Sequence, residues 1–184
     1  MTRINRYLLI LVFTLLYSPF AWGDHCPEER RAVGKPETTI AGITFGRGDF
    51  LKVLELYGQA DSKREYTDAT YPEGSGEAEY FWEIDIGQLE VWTMFYHKQN
   101  KLIESVVSVY IKGSADIPTW QTGRGLRLGE SFDRVIQLYG PKFFQRYDNE
   151  LKEIIFCFSN ETRLGVKLNE NDKIIEIWLF PSIE

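Results

Sequence analysis

The sequence predicts an α+β chain of two tandem repeats, each a short helix followed by a three- to four-stranded antiparallel sheet. Three matches predict it. Gly42-Ile43-Thr44-Phe45-Gly46 pairs with Gly125-Leu126-Arg127-Leu128-Gly129. Phe50, Val53, Leu56, Tyr57 and Gly58 pair with Phe132, Val135, Leu138, Tyr139 and Gly140, once one extra residue near Gly48 is allowed. Lys101-Leu102-Ile103-Glu104 pairs with Lys173-Ile174-Ile175-Glu176. The last interval is ten residues longer in the first copy, and Tyr71 to Glu79, with Pro72, Gly74 and Gly76, is the natural place for the insertion. The units are expected at 40–111 and 125–184, sharing or abutting their sheets. A linker, 112–124, carries Gly113, Pro118 and Gly123, and a polar tail, 24–39, precedes the first unit.

Each element has a local reason. Phe, Val and Leu recur at i, i+3 and i+6, with Leu54 or Ile136 at i+4, which gives a short helix one apolar face. Asp49 and Ser131 stand where an N-cap belongs. Gly58 and Gly140 are placed to end the helices in a left-handed conformation, and Pro141 prevents continuation. Tyr80, Trp82, Ile84 and Ile86 alternate with more polar residues, as a half-buried strand requires. Gly87-Gln88 is expected to turn into the return strand Leu89, Val91, Thr93, Phe95, and Gln99-Asn100 into Leu102–Ile111. The second unit repeats this over Glu153–Phe158, Leu164–Leu168 and Ile174–Phe180, with Asn169–Asp172 as its last turn. Runs such as Val106-Val107 and Ile174-Ile175 are apolar on both faces, so one face can pack the helix and the other meet a partner.

Residues 1–23 read as a signal peptide. Arg3 and Arg6 precede the apolar run Tyr7–Tyr17, Pro19 ends it, and Ala21-Trp22-Gly23 offers small residues for cleavage before Asp24. The run is shorter than the roughly 20 residues of a spanning helix. Asp24-His25 before Cys26 do not suit a lipobox. The mature chain loses two arginines and no acid, which takes the formal charge from −6 to −8. An acidic chain of this kind is not built to bind nucleic acid. Periplasmic or secreted localisation follows, without stable membrane insertion of the mature chain. In an oxidising compartment Cys26 and Cys157 are the only possible intramolecular pair. The alternative is two unpaired thiols. A bond would close a loop of about 130 residues, worth on the order of 4 kcal/mol in the chain-entropy account.

The pattern Leu128-Gly129, Val135, Tyr139-Gly140-Pro141 resembles the outer-membrane assembly lipoprotein family called BamE, SmpA or OmlA. It is also similar to the tandem-repeat β-lactamase inhibitory proteins. The resemblance covers the start and the last hairpin of each unit. It implies a small helical segment packed on an antiparallel sheet. For the inhibitors it further implies two units in tandem whose joined sheet grips a protein partner. The sequence departs from the lipoproteins in lacking a lipobox, and neither family's contact residues carry over.

No nucleophile, base and orienting group come together in the sequence, and no G-x-S-x-G, HExxH or P-loop occurs. No catalytic residue, cofactor or metal is therefore assigned. His97 reads as a strand-end surface residue and Cys157 as a buried one. Glu83 with Asp85, and Glu77 with Glu79, read as solvated strand faces, although paired carboxylates can act as acid and base. Asn169–Asp172 lacks the length and glycine of a calcium loop. The Arg47-Gly48-Asp49 tripeptide is better explained by a helix cap, and Asn160-Glu161-Thr162 is a glycosylation sequon. Aromatic residues make up 15% of the chain. Trp82, Trp92, Tyr96, Tyr110 and Trp120 are the candidate interface residues, because Tyr and Trp on a rigid sheet are good anchors.

The expected function is an exported, non-catalytic binding module, an inhibitor or an envelope-assembly factor, whose partner is another exported or envelope protein. The alternatives are a carboxylate-dependent hydrolase and a small-ligand binder, each with its site between the repeats.

Overall fold

The structure is a computed structural model that describes residues 31–32, 35–44, 50–67, 71–84, 86–99, 101–113, 117, 119–148, 151–158 and 162–180. The signal peptide, Cys26, the Asp49 cap, Asp85, Asn100, Pro118, Asn160 and Glu161 lie outside the described residues.

A small hairpin opens the described chain. β1 (Thr39–Ile40) pairs with β2 (Ile43–Thr44) across Ala41 and Gly42, both at positive φ. That is the turn that matches strand twist in a two-residue hairpin, and Gly42 takes it without strain. Helix α1 (Phe50–Tyr57) follows, then β3 (Ser62–Tyr66), β4 (Gly76–Ile84), β5 (Gly87–Lys98) and β6 (Lys101–Gly113). Helix α2 (Phe132–Tyr139) leads into β7 (Phe144–Asp148), β8 (Leu151–Cys157), β9 (Arg163–Leu168) and β10 (Ile174–Phe180).

Strands β3 to β10 form one antiparallel sheet of eight strands in the order β3-β4-β5-β6-β10-β9-β8-β7. The expected α+β class, two helix-plus-short-sheet repeats, is therefore corrected. The described residues are mostly β, and the two helices among them have only eight residues each. The reason lies in β6 and β10. Ile111 faces Ile177 and Val109 faces Leu179 on one side of the seam, and Tyr110 faces Trp178 on the other. Strands apolar on both faces belong inside a sheet, so pairing them removes two edges that would otherwise lie open. The outer strands suit edges instead: β3 and β7 have five residues each, are almost wholly exposed and carry Lys63, Arg64 and Arg146.

Both helices pack on the same face of the sheet. Phe50 and Val53 of α1 and Val135 and Tyr139 of α2 are buried against Tyr80, Val91, Val109, Ile154, Phe156 and Leu164. Gly58 and Gly140 do end the helices at positive φ, their N–H groups donating to Leu54 and Ile136 carbonyls. Ser131 makes no side-chain cap; the Phe132 N–H donates to the Asp172 carbonyl instead.

Two turns differ from expectation or sharpen it. The hairpin between β4 and β5 turns two residues before Gly87-Gln88, since Ile84 already pairs with Gly87. In the last turn the Asn169 side chain accepts from the Asn171 and Lys173 N–H groups, so its oxygen is occupied by backbone.

The end of the expected polar tail is built into the fold. The Ala32 N–H donates to the Cys157 carbonyl at 2.7 Å. Glu37, 4% exposed, accepts from the Gly123 and Arg124 N–H groups and from the Tyr139 hydroxyl at 2.8 Å. Burial and then the Glu37 charge push the Tyr139 phenol far above its ordinary range. Arg124 reaches the Leu138 carbonyl at the end of α2. The expected linker thus closes onto the tail through a fully partnered polar cluster.

Candidate binding face

The helix-free face of the sheet carries the unusual chemistry. Because side chains alternate, β3 places Arg64 and Tyr66 there, β4 Glu77, Glu79, Phe81 and Glu83, and β5 Glu90, Trp92 and Met94. Tyr110 and Lys112 of β6 continue the same rows.

Glu79 pairs with Trp92, and Glu90 with Phe81, so the two glutamates are diagonal neighbours on adjacent strands. Both side chains lie on the helix-free face, so the two carboxylates share one patch. Glu79 is 6% exposed. It accepts from the Tyr66 hydroxyl at 2.9 Å and meets Arg64 Nη1 at 3.5 Å. The Trp92 indole N–H donates to Glu90. Tyr66 and Trp92 stack above them, with ring centroids 5.6 Å apart and planes 3° from parallel. On the seam Tyr110 stacks on Trp178 at 6.4 Å.

The environment shows in the protonation of these groups. Desolvation first, then the charge of Glu79, raises the Glu90 pKa, although the Trp92 hydrogen bond pulls it down in part. Burial and the carboxylates of Glu90, Glu79 and Glu176 hold the Tyr110 phenol up. The hydrogen bond to Glu79 does the same for Tyr66.

The candidate interface residues divide. Trp92, Tyr96 and Tyr110 are half-buried, and their strand positions put them on the helix-free face. Trp82 and Trp120 do not serve as surface anchors: they are 4% and 2% exposed and belong to the core. Trp82 alternates onto the helix side, where its indole N–H reaches the Gly58 carbonyl. His97 is exposed at the end of β5, with Nδ1 2.8 Å from the Gly74 carbonyl. Glu83 is exposed and is held by Gln88, not by a second acid.

Glu79 is the residue sequence reasoning misplaced. It alternates with Ala78 and Tyr80 in a stretch assigned to an insertion. Its proximity to Glu90 arises from register between strands, which the local pattern does not carry.

Two clefts lie elsewhere. One of about 470 Å³ is lined by Leu56, Tyr57, Thr119, Gln121 and Thr122 among others, and one of about 410 Å³ by Phe50, Leu54, Lys63 and Tyr80 among others. Burial pushes the Tyr80 phenol up to about 12. Neither cleft includes Glu79 or Glu90. Cys157 is 2% exposed and disulfide-bonded.

No family model matches the chain, and no curated protein matches it. Among solved structures it is similar to an extracellular protein containing a SCP domain from Bacillus anthracis str. Ames. That likeness has 10% identity and a TM-score of 0.41, over 85% of this chain and 50% of the other. The chain therefore spans about half the length of that protein, and at this level of likeness neither fold nor activity transfers from it.

Proposed function

We propose that the chain is an exported, non-catalytic binding module that engages another exported or envelope protein through the helix-free face of its sheet. The observation that carries this reading is the stacked Tyr66–Trp92 pair beside Tyr110 on a hydrogen-bonded sheet. Aromatic anchors on a rigid surface lose little freedom on binding. The resemblance to the tandem-repeat inhibitors and to the assembly lipoproteins points the same way.

Export is supported by the charged-then-apolar N-terminus and by a disulfide-bonded Cys157, which suits an oxidising compartment. A hydrolytic reading is the weaker one. Glu79 and Glu90 lie on the open face of the sheet, and neither described cleft includes them.

The test is capture from the exported fraction of the native host, with wild type and Trp92→Ala compared after matched folding checks. The reading expects a partner retained by wild type and lost with Trp92→Ala. Equal capture by both proteins would remove it.

A further inference from the structure

The carboxylates named on the far side of the seam are each ion-paired, and on the near side, among the described residues, Glu90 is not. Beyond the seam, Glu153 is held by Arg146, while Lys167 holds Asp148 at 3.0 Å and Glu176 at 3.1 Å. On the near side Arg64 reaches Glu79 alone, at 3.5 Å, through a side chain that is 69% exposed. Among the described residues no cation stands within ion-pair distance of Glu90.

We propose that this patch receives a cationic side chain, the guanidinium or ammonium of an Arg or Lys on a protein partner, against its aromatic rings and onto the Glu79–Glu90 carboxylates. The proposal rests on the binding-module reading and names the chemistry of its partner. Half-buried like charges are costly until a cation joins them. Tyr66, Trp92 and Tyr110 present π systems that favour a cation. Arg64 already supplies a partial template: its guanidinium lies 5.1 Å from the Phe81 ring while touching Glu79. The Trp92 N–H holds Glu90 in place beforehand. A partner's side chain fits better than a free amine, because the patch lies on an open sheet outside both described clefts. A small cation would bury little surface there, whereas a protein brings flanking contact.

Binding by this route should strengthen as pH rises and Glu90 gives up its proton. The groups that face the pair are Arg64 and Tyr66 from β3, Glu77 from β4, Tyr110 and Lys112 from β6, and Glu176 from β10.

The test uses the exported chain and two probes, the tripeptide amide acetyl-Gly-Arg-Gly-NH2 and its uncharged citrulline counterpart. The reporter is the Trp92 indole N–H resonance. The arginine probe should shift it saturably, more tightly at neutral than at acid pH, and the citrulline probe should not. Glu90→Gln, a neutral isostere, should weaken the arginine probe at least about tenfold. Arg64→Gln, which removes the competing guanidinium, should tighten it. Equal shifts from both probes, no shift from either, or unchanged binding in Glu90→Gln would overturn the proposal. If Trp92→Ala loses the captured partner while Glu90→Gln keeps it, the cation site falls and the binding module stands. If the arginine probe binds but Trp92→Ala captures normally, the reverse holds.

Discussion

The two sides of the seam bear similar residues and use them differently. In one row across the helix-free face, Phe81, Glu90 and Tyr110 lie on the near side and Trp178, Gly165 and Ile155 on the far side. On the far side Trp178, 5% exposed, lies over Gly165, and each carboxylate has its cation. That half is sealed. On the near side Tyr66 and Trp92 stack on each other rather than over a glycine, and Glu79 and Glu90 are diagonal neighbours on the same face. The proposed partner would meet the near side, where, among the described residues, a carboxylate lacks a cation of its own.

The largest expected effect tests whether the far side is tied down from outside the sheet. The chain holds two cysteines, and we propose Cys26 as the partner of Cys157. Reducing the bond should cost on the order of 4 kcal/mol in a urea titration. It should also raise amide exchange around Ala32, Glu37 and Cys157 more than in the β5–β6 hairpin. Two free thiols in freshly exported, denatured protein would remove the bond. Exchange rising equally in both halves would remove the asymmetry.

Next comes the lid over Gly165. A Cβ there would fall inside the Trp178 indole. Gly165→Ala should therefore displace the ring and cost about 2–3 kcal/mol. On the near side Met94 is 45% exposed, and Met94→Ala should stay within about 0.5 kcal/mol. Similar losses in the two variants would mean the far side is no more sealed than the near one.

The helix ends should behave alike, unlike the two faces. Gly58 and Gly140 sit at φ of 74° and 81°, and nothing stands within 4 Å of a Cβ at either. Gly58→Val and Gly140→Val should each cost at least about 1 kcal/mol through backbone strain alone. Gly140, with ψ of 179°, is extended at positive φ rather than left-handed helical, and unchanged unfolding midpoints would reject the positive-φ helix ends.

Legibility followed the range of the interaction. The helices and the inner strands were readable because their apolar spacing is written within each segment. Edge strands β3 and β7 were not: Ser62-Lys63-Arg64-Glu65-Tyr66 and Phe144-Gln145-Arg146-Tyr147-Asp148 bury little, so no alternation marks them. The class was misjudged because the joining of β6 to β10 depends on two strands far apart in sequence. Trp82 and Trp120 were misread because an aromatic residue looks the same on either face until register is known. The placing of Glu79 and Glu90 on one patch has the same character, since it exists only through the pairing of β4 with β5.

The smallest effect is the most discriminating, since the two sides should differ in sign. Glu90 has a folded pKa above its ordinary value, so the native state binds its proton more tightly than the unfolded chain. Between the ordinary and the raised value the native state holds the extra proton, and stability falls as pH rises. At neutral pH the wild type therefore carries the full penalty, and Glu90→Gln, with nothing to ionise, escapes it. Glu153 is different: its charge is matched by Arg146, and Glu153→Gln gives that up. Arg146 is 66% exposed, so solvent screening limits the loss to about 1 kcal/mol or less. Thermal midpoints at about pH 7 should rise with Glu90→Gln and fall with Glu153→Gln. Below about pH 4 the advantage of Glu90→Gln should vanish, because wild-type Glu90 is then protonated in both states. A fall with both variants at neutral pH would show that Glu90 is as well compensated as Glu153, and the contrast between the two sides would then rest on shape alone.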